Sequence, residues 1–160
     1  MRRVRSTDTR PEKIVGSFLH RLGFRFRKHR KDLPGAPDFL LPKYQTSIFV
    51  HGCFWHRHPG CTHADAPATR REYWLPKFSR TVERDRKNQQ ALRNLGWNVI
   101  VIWECEIRSS PQWEERLKDL ILKHYGAENS ECAFEMAAEK RGEYDGDAPH
   151  STLRGRIRGT

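Results

Sequence analysis

The chain is organised around one stretch, IFVHGCFWHRHPGC at residues 48–61. Its first three residues, Ile48 to Val50, are apolar and predict a short buried strand. The next eleven residues hold three histidines and two cysteines, together with the aromatic pair Phe54 and Trp55. Because metal-binding and proton-transferring side chains gather here at the end of a strand, the stretch indicates a chemical site.

A carboxylate lies thirteen residues before His51, at Asp38, and it follows the turn formed by residues 34–37. An aspartate at the start of a strand can offer the hard oxygen ligand that a divalent metal needs. The carboxylate, the strand and the imidazoles therefore predict a hydrolytic metal site. The spacing resembles the PD-(D/E)xK nuclease core, although residues 49–51 read Phe-Val-His where that core has Glu-x-Lys.

The composition and charge of the chain indicate one domain with a polyanionic partner. Of 160 residues 36% are hydrophobic, enough for one core, so we expect a single domain. The formal net charge is +10, and such an excess favours a polyanionic partner, of which nucleic acid is the commonest. The gradient is steepest up to Lys31, where eleven Lys and Arg residues face only two acids, Asp8 and Glu12.

The sequence also predicts a compartment. No stretch approaches the roughly 20 apolar residues of a membrane span, and the N-terminus lacks the apolar core of a signal peptide. We therefore expect a cytoplasmic, nucleoid-associated protein with no membrane partner. Its cysteines should be reduced there, so their clustering with histidine favours metal binding over disulfides.

Apolar periodicity and turn residues predict a coarse order of elements. The predicted helices cover residues 12–22, 80–95 and 111–124, and the predicted strands cover 24–27, 38–41, 47–50 and 97–103. This order predicts a single α/β domain with a mixed central sheet flanked by helices. We divide the chain into a basic arm over 1–11, a domain over 12–125 and a weakly structured tail over 126–160.

A second metal site is predicted from cysteine spacing. Its ligands are expected to be Cys53, His58, Cys61 and Cys105. A closed tetrahedral Cys₃His set is typical of structural zinc. His56 and His63 are alternatives to His58, which ranks first.

The remaining polar candidates have two interpretations each. A histidine can take a proton from water or contact a phosphate, which suits His51 and His56. Asp85 is the candidate partner acid, or else one member of a solvated ion pair. Glu12 falls in the first turn of the first predicted helix, where a carboxylate suits the helix dipole without any further role.

Three large aromatic residues, Phe54, Trp55 and Trp74, are flanked by His, Arg and Gly. Core packing is the ordinary explanation for such side chains. Next to a basic phosphate-binding site, stacking or wedging between bases is the alternative.

Six blocks follow one another along residues 12–122. They are LPGAPDF at 33–39, FVHGCFWH at 49–56, PATRREYW at 67–74, ERDR at 83–86, LGW at 95–97 and IWEC at 102–105. In this order the blocks resemble the very-short-patch-repair (Vsr) DNA mismatch endonucleases. The tail beyond residue 126 has no counterpart in the family pattern.

The resemblance implies a Mg²⁺-dependent endonuclease with a PD-(D/E)xK-like, restriction-endonuclease-like core and a structural Zn²⁺ site. Its substrate would be double-stranded DNA carrying a T·G mismatch left by deamination of 5-methylcytosine. It would nick one strand 5′ of the mismatched thymine. We expect a monomer that works alongside mismatch-repair proteins.

The resemblance also implies roles for individual residues. Asp38 and the backbone carbonyl of Val50 would bind magnesium, with Glu12 near the waters of the metal. His56 would be the general base, oriented by Asp85, and His51 would contact the phosphate or those waters. The zinc ligands would be Cys53, His58, Cys61 and Cys105, and the residues wedged into DNA would be Phe54, Trp55 and Trp74.

Two other functions remain open at this point. A restriction-type or homing-type endonuclease could use the same core to cut paired duplex DNA. A zinc-supported DNA-binding module with a decayed active site is less favoured, because Asp38, His51, His56 and Asp85 are all present.

Overall fold

In the computed structural model, residues 7–126 are described. The helices are α1 Arg10–Arg21, α2 Cys53–His56, α3 Arg71–Asn94, α4 Glu104–Ser109 and α5 Gln112–Lys123. The strands are β1 Arg27–Lys28, β2 Phe39–Leu41, β3 Thr46–His51 and β4 Asn98–Trp103, with short 3₁₀ turns at Pro42–Tyr44 and Thr62–Ala64. The predicted arm over 1–11 and tail over 126–160 lie mostly outside the described residues, so both assignments stay predictions.

One mixed sheet holds the four strands in the order β1-β2-β3-β4. The first three strands pair antiparallel, whereas β3 and β4 run parallel with His51 beside Trp103. Parallel neighbours need a long crossover, and α3 supplies it. The single α/β domain with a mixed sheet is therefore confirmed, and the carboxyl ends of β3 and β4 meet at one edge.

The core lies between this sheet and helices α1 and α5. All three residues of β2 are buried, and α1 contributes Val15, Phe18 and Leu19 to the same cluster. From α5, Trp113 packs edge-on against Phe18 with ring centroids 5.1 Å apart. Across residues 7–126, every helix is too short or too polar to cross a membrane.

Two boundaries of predicted helices were wrong. The first helix begins at Arg10, two residues early, because Thr9 caps it and proline occupies its first turn. Helix α3 begins at Arg71 instead of residue 80 and contains Pro76. A proline normally ends or kinks a helix, which is why the sequence pattern placed the start beyond it.

The predicted strand over 24–27 was also misplaced, since β1 covers only Arg27–Lys28. Gly23 has φ +77°, and the amide of Phe24 donates to the carbonyl of Leu19 at 2.9 Å. Phe24 is thus still part of the C-terminal cap of α1, and its ring is buried against Tyr44. The alternation of apolar and basic residues over 24–27 therefore does not correspond to a β-strand of that length.

Candidate active site and metal centre

An open cavity of about 890 Å³ lies at the edge where β3 and β4 end. The loop before β2, the end of β3 and helices α1, α2 and α3 all contribute to its lining. The predicted site residues Glu12, Asp38, Val50, His51, Trp55, His56 and Asp85 all line this cavity. Side chains that lie up to 73 positions apart in sequence are therefore brought to one place.

Asp38 enters the cavity from the start of β2. Its Oδ2 accepts a hydrogen bond of 2.7 Å from the backbone amide of Val50 on the neighbouring strand. Burial raises the pKa of Asp38 to about 6, with a further rise from the charge of Glu12, while the Val50 amide acts in the opposite direction. A buried carboxylate that is costly to ionise is one that a cation would stabilise.

Glu12 is only 4% exposed and belongs to the N-terminal cap of α1. Its Oε1 accepts from the Thr9 hydroxyl at 2.7 Å, and its Oε2 accepts from the backbone amide of Asp8 at 2.8 Å. The sequence Thr-x-x-Glu favours such contacts at the start of a helix, but here the amide that donates to the carboxylate belongs to Asp8, one residue before the N-cap Thr9. The helix-terminus interpretation of Glu12 is thus correct, and the same carboxylate also lines the cavity.

His29 was missed by the sequence analysis. Its Nε2 lies 3.7 Å from Oε2 of Glu12, and its Nδ1 lies 3.8 Å from Oδ1 of Asp38. No motif marks it, but the pairing of Lys28 with Phe39 places the next residue, His29, opposite Asp38. Correct strand pairing would therefore have found it.

A histidine–aspartate pair forms the opposite wall. Nδ1 of His56 lies 2.5 Å from Oδ2 of Asp85, so the predicted partner acid is in contact with its histidine. Burial acts to raise the pKa of Asp85, but the hydrogen bond and charge of His56 outweigh it and hold that pKa below its usual range. The guanidinium of Arg84 also lies 3.5 Å from Oδ1 of Asp85, so Asp85 forms the alternative ion pair as well.

His51 stacks on His56, with ring centroids 3.8 Å apart and planes 11° apart. Burial, followed by the neighbouring charge of His56, lowers the pKa of His51 to about 4. The His51 ring is therefore neutral near pH 7 and has one N–H to donate.

The loop that carries Asp38 packs directly on the helix that carries Asp85. Gly35 has φ +74°, and a Cβ placed there would lie 2.9 Å from Cβ of Asn88. No side chain fits in that gap without a shift of α3 or the loop. This close approach fixes the two walls of the cavity relative to each other.

The four predicted zinc ligands form one cluster. The ligand atoms of Cys53, His58, Cys61 and Cys105 all lie within 4.8 Å of one another. His58 is the histidine in this cluster, since His56 lies in the other wall and His63 is exposed. Within residues 7–126 the three cysteines form no disulfide, and Cys132 lies outside the described residues.

The thiols of Cys53 and Cys105 are less acidic than an ordinary cysteine. Burial raises the pKa of Cys53, and burial with the neighbouring thiols raises the pKa of Cys105 to about 12. Without a metal these thiols stay protonated near neutral pH, whereas a bound metal would deprotonate them. The donor set and its closeness fit a tetrahedral metal.

Trp103 separates the cluster from the cavity. The ring of His58 stacks on it at 4.2 Å with planes 13° apart, and His51 meets its edge at 5.3 Å. One indole therefore contacts a candidate ligand of the cluster and a candidate catalytic histidine.

The three predicted DNA-wedging aromatics lie together beside the cavity. Phe54 contacts Trp55 and Trp74 at centroid distances of 5.1 and 5.7 Å. Trp55 is 36% exposed, whereas Phe54 and Trp74 are partly buried. Lys77, missed by the sequence analysis, places its Nζ 5.2 Å from the Trp55 ring.

A family model described as DNA mismatch endonuclease Vsr matches residues 1–62. The chain is 48% identical to the type II nicking enzyme V.XorIIP of Xanthomonas oryzae over 76% of its own length and 88% of that protein. It is 44% identical to the DNA mismatch endonuclease Vsr of Escherichia coli over 76% of its own length and 75% of that protein.

Among solved structures, the catalytic domain of the homing endonuclease I-Bth0305I superposes with a TM-score of 0.52. It covers 74% of this chain and all of that domain at 18% identity, which supports the nuclease-like fold. The two sequence relatives and the family model establish more than the fold: the chain belongs to the Vsr family of DNA mismatch endonucleases.

Proposed function

We propose that this protein nicks one strand of duplex DNA 5′ of the thymine in a T·G mismatch, as left by deamination of 5-methylcytosine. Family membership makes the chain a DNA-nicking endonuclease; the mismatch and the roles below are our proposal. One observation carries it: the carboxylates of Asp38 and Glu12 share a cavity with the His56–Asp85 pair.

The carboxylate side of the cavity suits Mg²⁺. Asp38, the backbone carbonyl of Val50 and the nearby Glu12 supply hard oxygen donors, which this ion prefers. Because the second carboxylate oxygen of Asp38 is held by the Val50 amide, the first remains for the cation. When bound there, Mg²⁺ would neutralise charge on the phosphate that is attacked.

The histidine side would handle the proton. With Nδ1 of His56 held by Asp85 at 2.5 Å, Nε2 is the nitrogen available to a water molecule in the cavity. His56 would take the proton of that water as it attacks the phosphorus, and Asp85 would stabilise the imidazolium that results. His51, neutral and stacked on His56, would donate its N–H to a phosphate oxygen.

The Cys₃His cluster would hold Zn²⁺ in a structural role. All four ligands come from the protein, and closed sites of this kind stabilise a fold instead of reacting. A bound ion would join the loop after β3 to helix α4, which follows β4. It would therefore fix the segment from which His51 and His56 project.

The aromatic group would recognise the mismatch. Trp55 both lines the cavity and remains 36% exposed, so it can reach a base step next to the phosphate that is cut. Inserting a ring costs a few kcal/mol of unstacking, least where a mismatch has already loosened the stack. Phe54 and Trp74 would support it from below.

The rest of the proposal concerns organisation. Residues 12–125 would form the nuclease domain, and the basic arm over 1–11 would contact phosphates. The enzyme would act as a monomer on its substrate and hand the nicked product to mismatch-repair proteins.

The test is a nicking assay on two end-labelled duplexes that differ only in a T·G or a T·A pair. With Mg²⁺ we expect one product, cut 5′ of the thymine, from the T·G duplex alone, and none in excess EDTA. His56→Ala should abolish cutting, while the exposed His63→Ala should cut normally. Equal cutting of both duplexes would instead identify an endonuclease for paired DNA.

A further inference from the structure

His29 is placed by the sheet at the centre of the carboxylate wall. It follows β1, and its backbone amide donates to the carbonyl of Asp38 at 3.4 Å. Its own backbone is left-handed, with φ +48°, a conformation that is uncommon outside glycine and costly to maintain. A side chain held in such a conformation next to two buried carboxylates calls for an explanation.

The ring of His29 faces both carboxylates. Nε2 lies 3.7 Å from Glu12, and Nδ1 lies 3.8 Å from Asp38. Both distances exceed a direct hydrogen bond, and within residues 7–126 the buried Nε2 has no hydrogen-bond partner. The ring therefore stands between the two acids, within ion-pair distance of both and without a direct hydrogen bond to either.

Each acid is already held on its other side. Oδ2 of Asp38 accepts from the Val50 amide, and the oxygens of Glu12 accept from Thr9 and from the Asp8 amide. The other oxygen of Asp38, Oδ1, lies 3.8 Å from Nδ1 of His29. The ring of His29 thus lies between the two carboxylates, on the side of each that the cap and the Val50 amide leave open.

We propose that His29 is a positioning residue for the catalytic cation, holding Glu12 and Asp38 apart and aimed at one point. The proposal builds on the metal site assigned above. Small shifts would bring a ring nitrogen within hydrogen-bond distance of either carboxylate once a cation draws the oxygens together. Outer-sphere partners of this kind typically change metal affinity 10–100-fold when removed.

Three substitutions separate this role from a purely structural one. His29→Leu keeps bulk but loses both nitrogens. His29→Gly accepts the left-handed backbone without strain, so it removes the ring without adding a backbone penalty. His29→Asn also tolerates that backbone and keeps an amide donor close to the ring's Nδ1. His20→Asn, at an exposed histidine of α1, is the control.

The measurement is Mn²⁺ binding to the DNA-free, zinc-loaded protein by calorimetry, together with the Mg²⁺ concentration for half-maximal nicking of the T·G duplex. We expect about tenfold weaker Mn²⁺ binding and a similar rise in half-saturating Mg²⁺ for His29→Leu and His29→Gly. His29→Asn should recover most of the affinity. A thermal melt should show that His29→Gly is folded at the temperature of the binding measurement.

Wild-type Mn²⁺ affinity in His29→Gly would overturn the proposal, whatever happens to nicking. This result decides the question even if His29→Leu does not fold. If the wild type binds Mn²⁺ but cuts both duplexes equally, the mismatch assignment fails, while the loss of affinity in His29→Gly still supports the role of His29.

Discussion

The cavity and the Cys₃His cluster are built from the same segment, yet they are opposite kinds of site. The cluster is closed, with four ligand atoms within 4.8 Å of one another. The cavity is open, and its donors are oxygens and imidazoles spread over about 890 Å³. A closed set holds an ion for stability, whereas an open one leaves positions for substrate and water.

The two regions also differ in what their buried groups cost. In the cavity Asp38 bears a charge that burial disfavours, so metal-free protein carries a destabilising carboxylate. In the cluster the thiols can stay protonated and uncharged. The metal-free protein is therefore less stable because it lacks the cross-link that a bound metal would form. Removing a ligand should therefore affect the two sites in opposite ways.

The largest effect is expected from Asp38→Asn, which should abolish nicking while leaving DNA binding largely intact. An amide is a poorer ligand for Mg²⁺ but has the same shape and repels phosphate less. The assay compares nicking and DNA affinity with those of Asp65→Asn, an exposed control. Retention of more than about a tenth of the rate, a barrier change below about 1.4 kcal/mol, would exclude Asp38 as the metal carboxylate.

The same variant should stabilise the metal-free protein. The folded pKa of Asp38 is raised to about 6, above the roughly 3.9 of an unfolded aspartate, so wild-type stability falls as pH rises between these values. Asp38→Asn should gain at most about 3 kcal/mol at neutral pH and nothing below about pH 4. Denaturant melts in EDTA at several pH values would show it, and a loss of stability at pH 7 would contradict it.

Removing zinc should instead destabilise the protein, lowering its free energy of unfolding by several kcal/mol. Metal analysis should find about one zinc per chain, and Cys61→Ser should lose it, together with protection of amides in 51–61 against hydrogen exchange. Cys132→Ser, at the cysteine that is not one of the four proposed ligands, is the control. Active, folded enzyme that contains no zinc would show that the cluster is not a structural zinc site.

Trp55→Ala should weaken mismatch discrimination more than overall DNA affinity. Overall affinity depends mainly on neutralised phosphates and on salt, whereas the ring acts only where the stack opens. Binding to T·G and T·A duplexes across a salt series should show a lost preference with an unchanged salt slope. The exposed Leu95→Ala serves as the comparison. Equal weakening of both duplexes would make Trp55 a general contact.

The smallest effect is expected where the two sites meet. Trp103→Phe should lose part of the stack on His58 and the contact with His51. The free energy of zinc binding should weaken by about 1 kcal/mol, and the activation free energy of nicking should rise by about the same amount. A zinc-chelator competition and single-turnover nicking would measure them. If nicking falls while zinc affinity is unchanged, the indole serves the cavity alone.

The sequence was informative where chemistry lies in a continuous segment. The spacing after Cys53 predicted Cys61 and a histidine ligand, with His58 ranked above His56 and His63, and the position of Cys105 just after a strand predicted the fourth ligand. The structure places His58 in the cluster. Strands β2, β3 and β4 followed from apolar runs, whereas the position of β1 did not. The family resemblance then assigned Asp85 to His56, a contact that spacing alone does not require.

It was less informative where the answer depends on tertiary pairing. His29 has no motif, since its place is set by the register of β1 on β2. Helix α3 continues through Pro76, although local propensity predicts a break. Lys77 lies over aromatic rings only because this helix begins nine residues early.

The N-terminal cap of α1 has one more consequence, for the link between residues 7–9 and the cavity. Glu12 is held by the hydroxyl of Thr9 and by the backbone amide of Asp8, and Asp8 is tied to Lys28 at 3.1 Å. A displacement of residues 7–9 would therefore reach a cavity carboxylate through these two hydrogen bonds. The position of this cavity carboxylate therefore depends on how the chain enters its first helix.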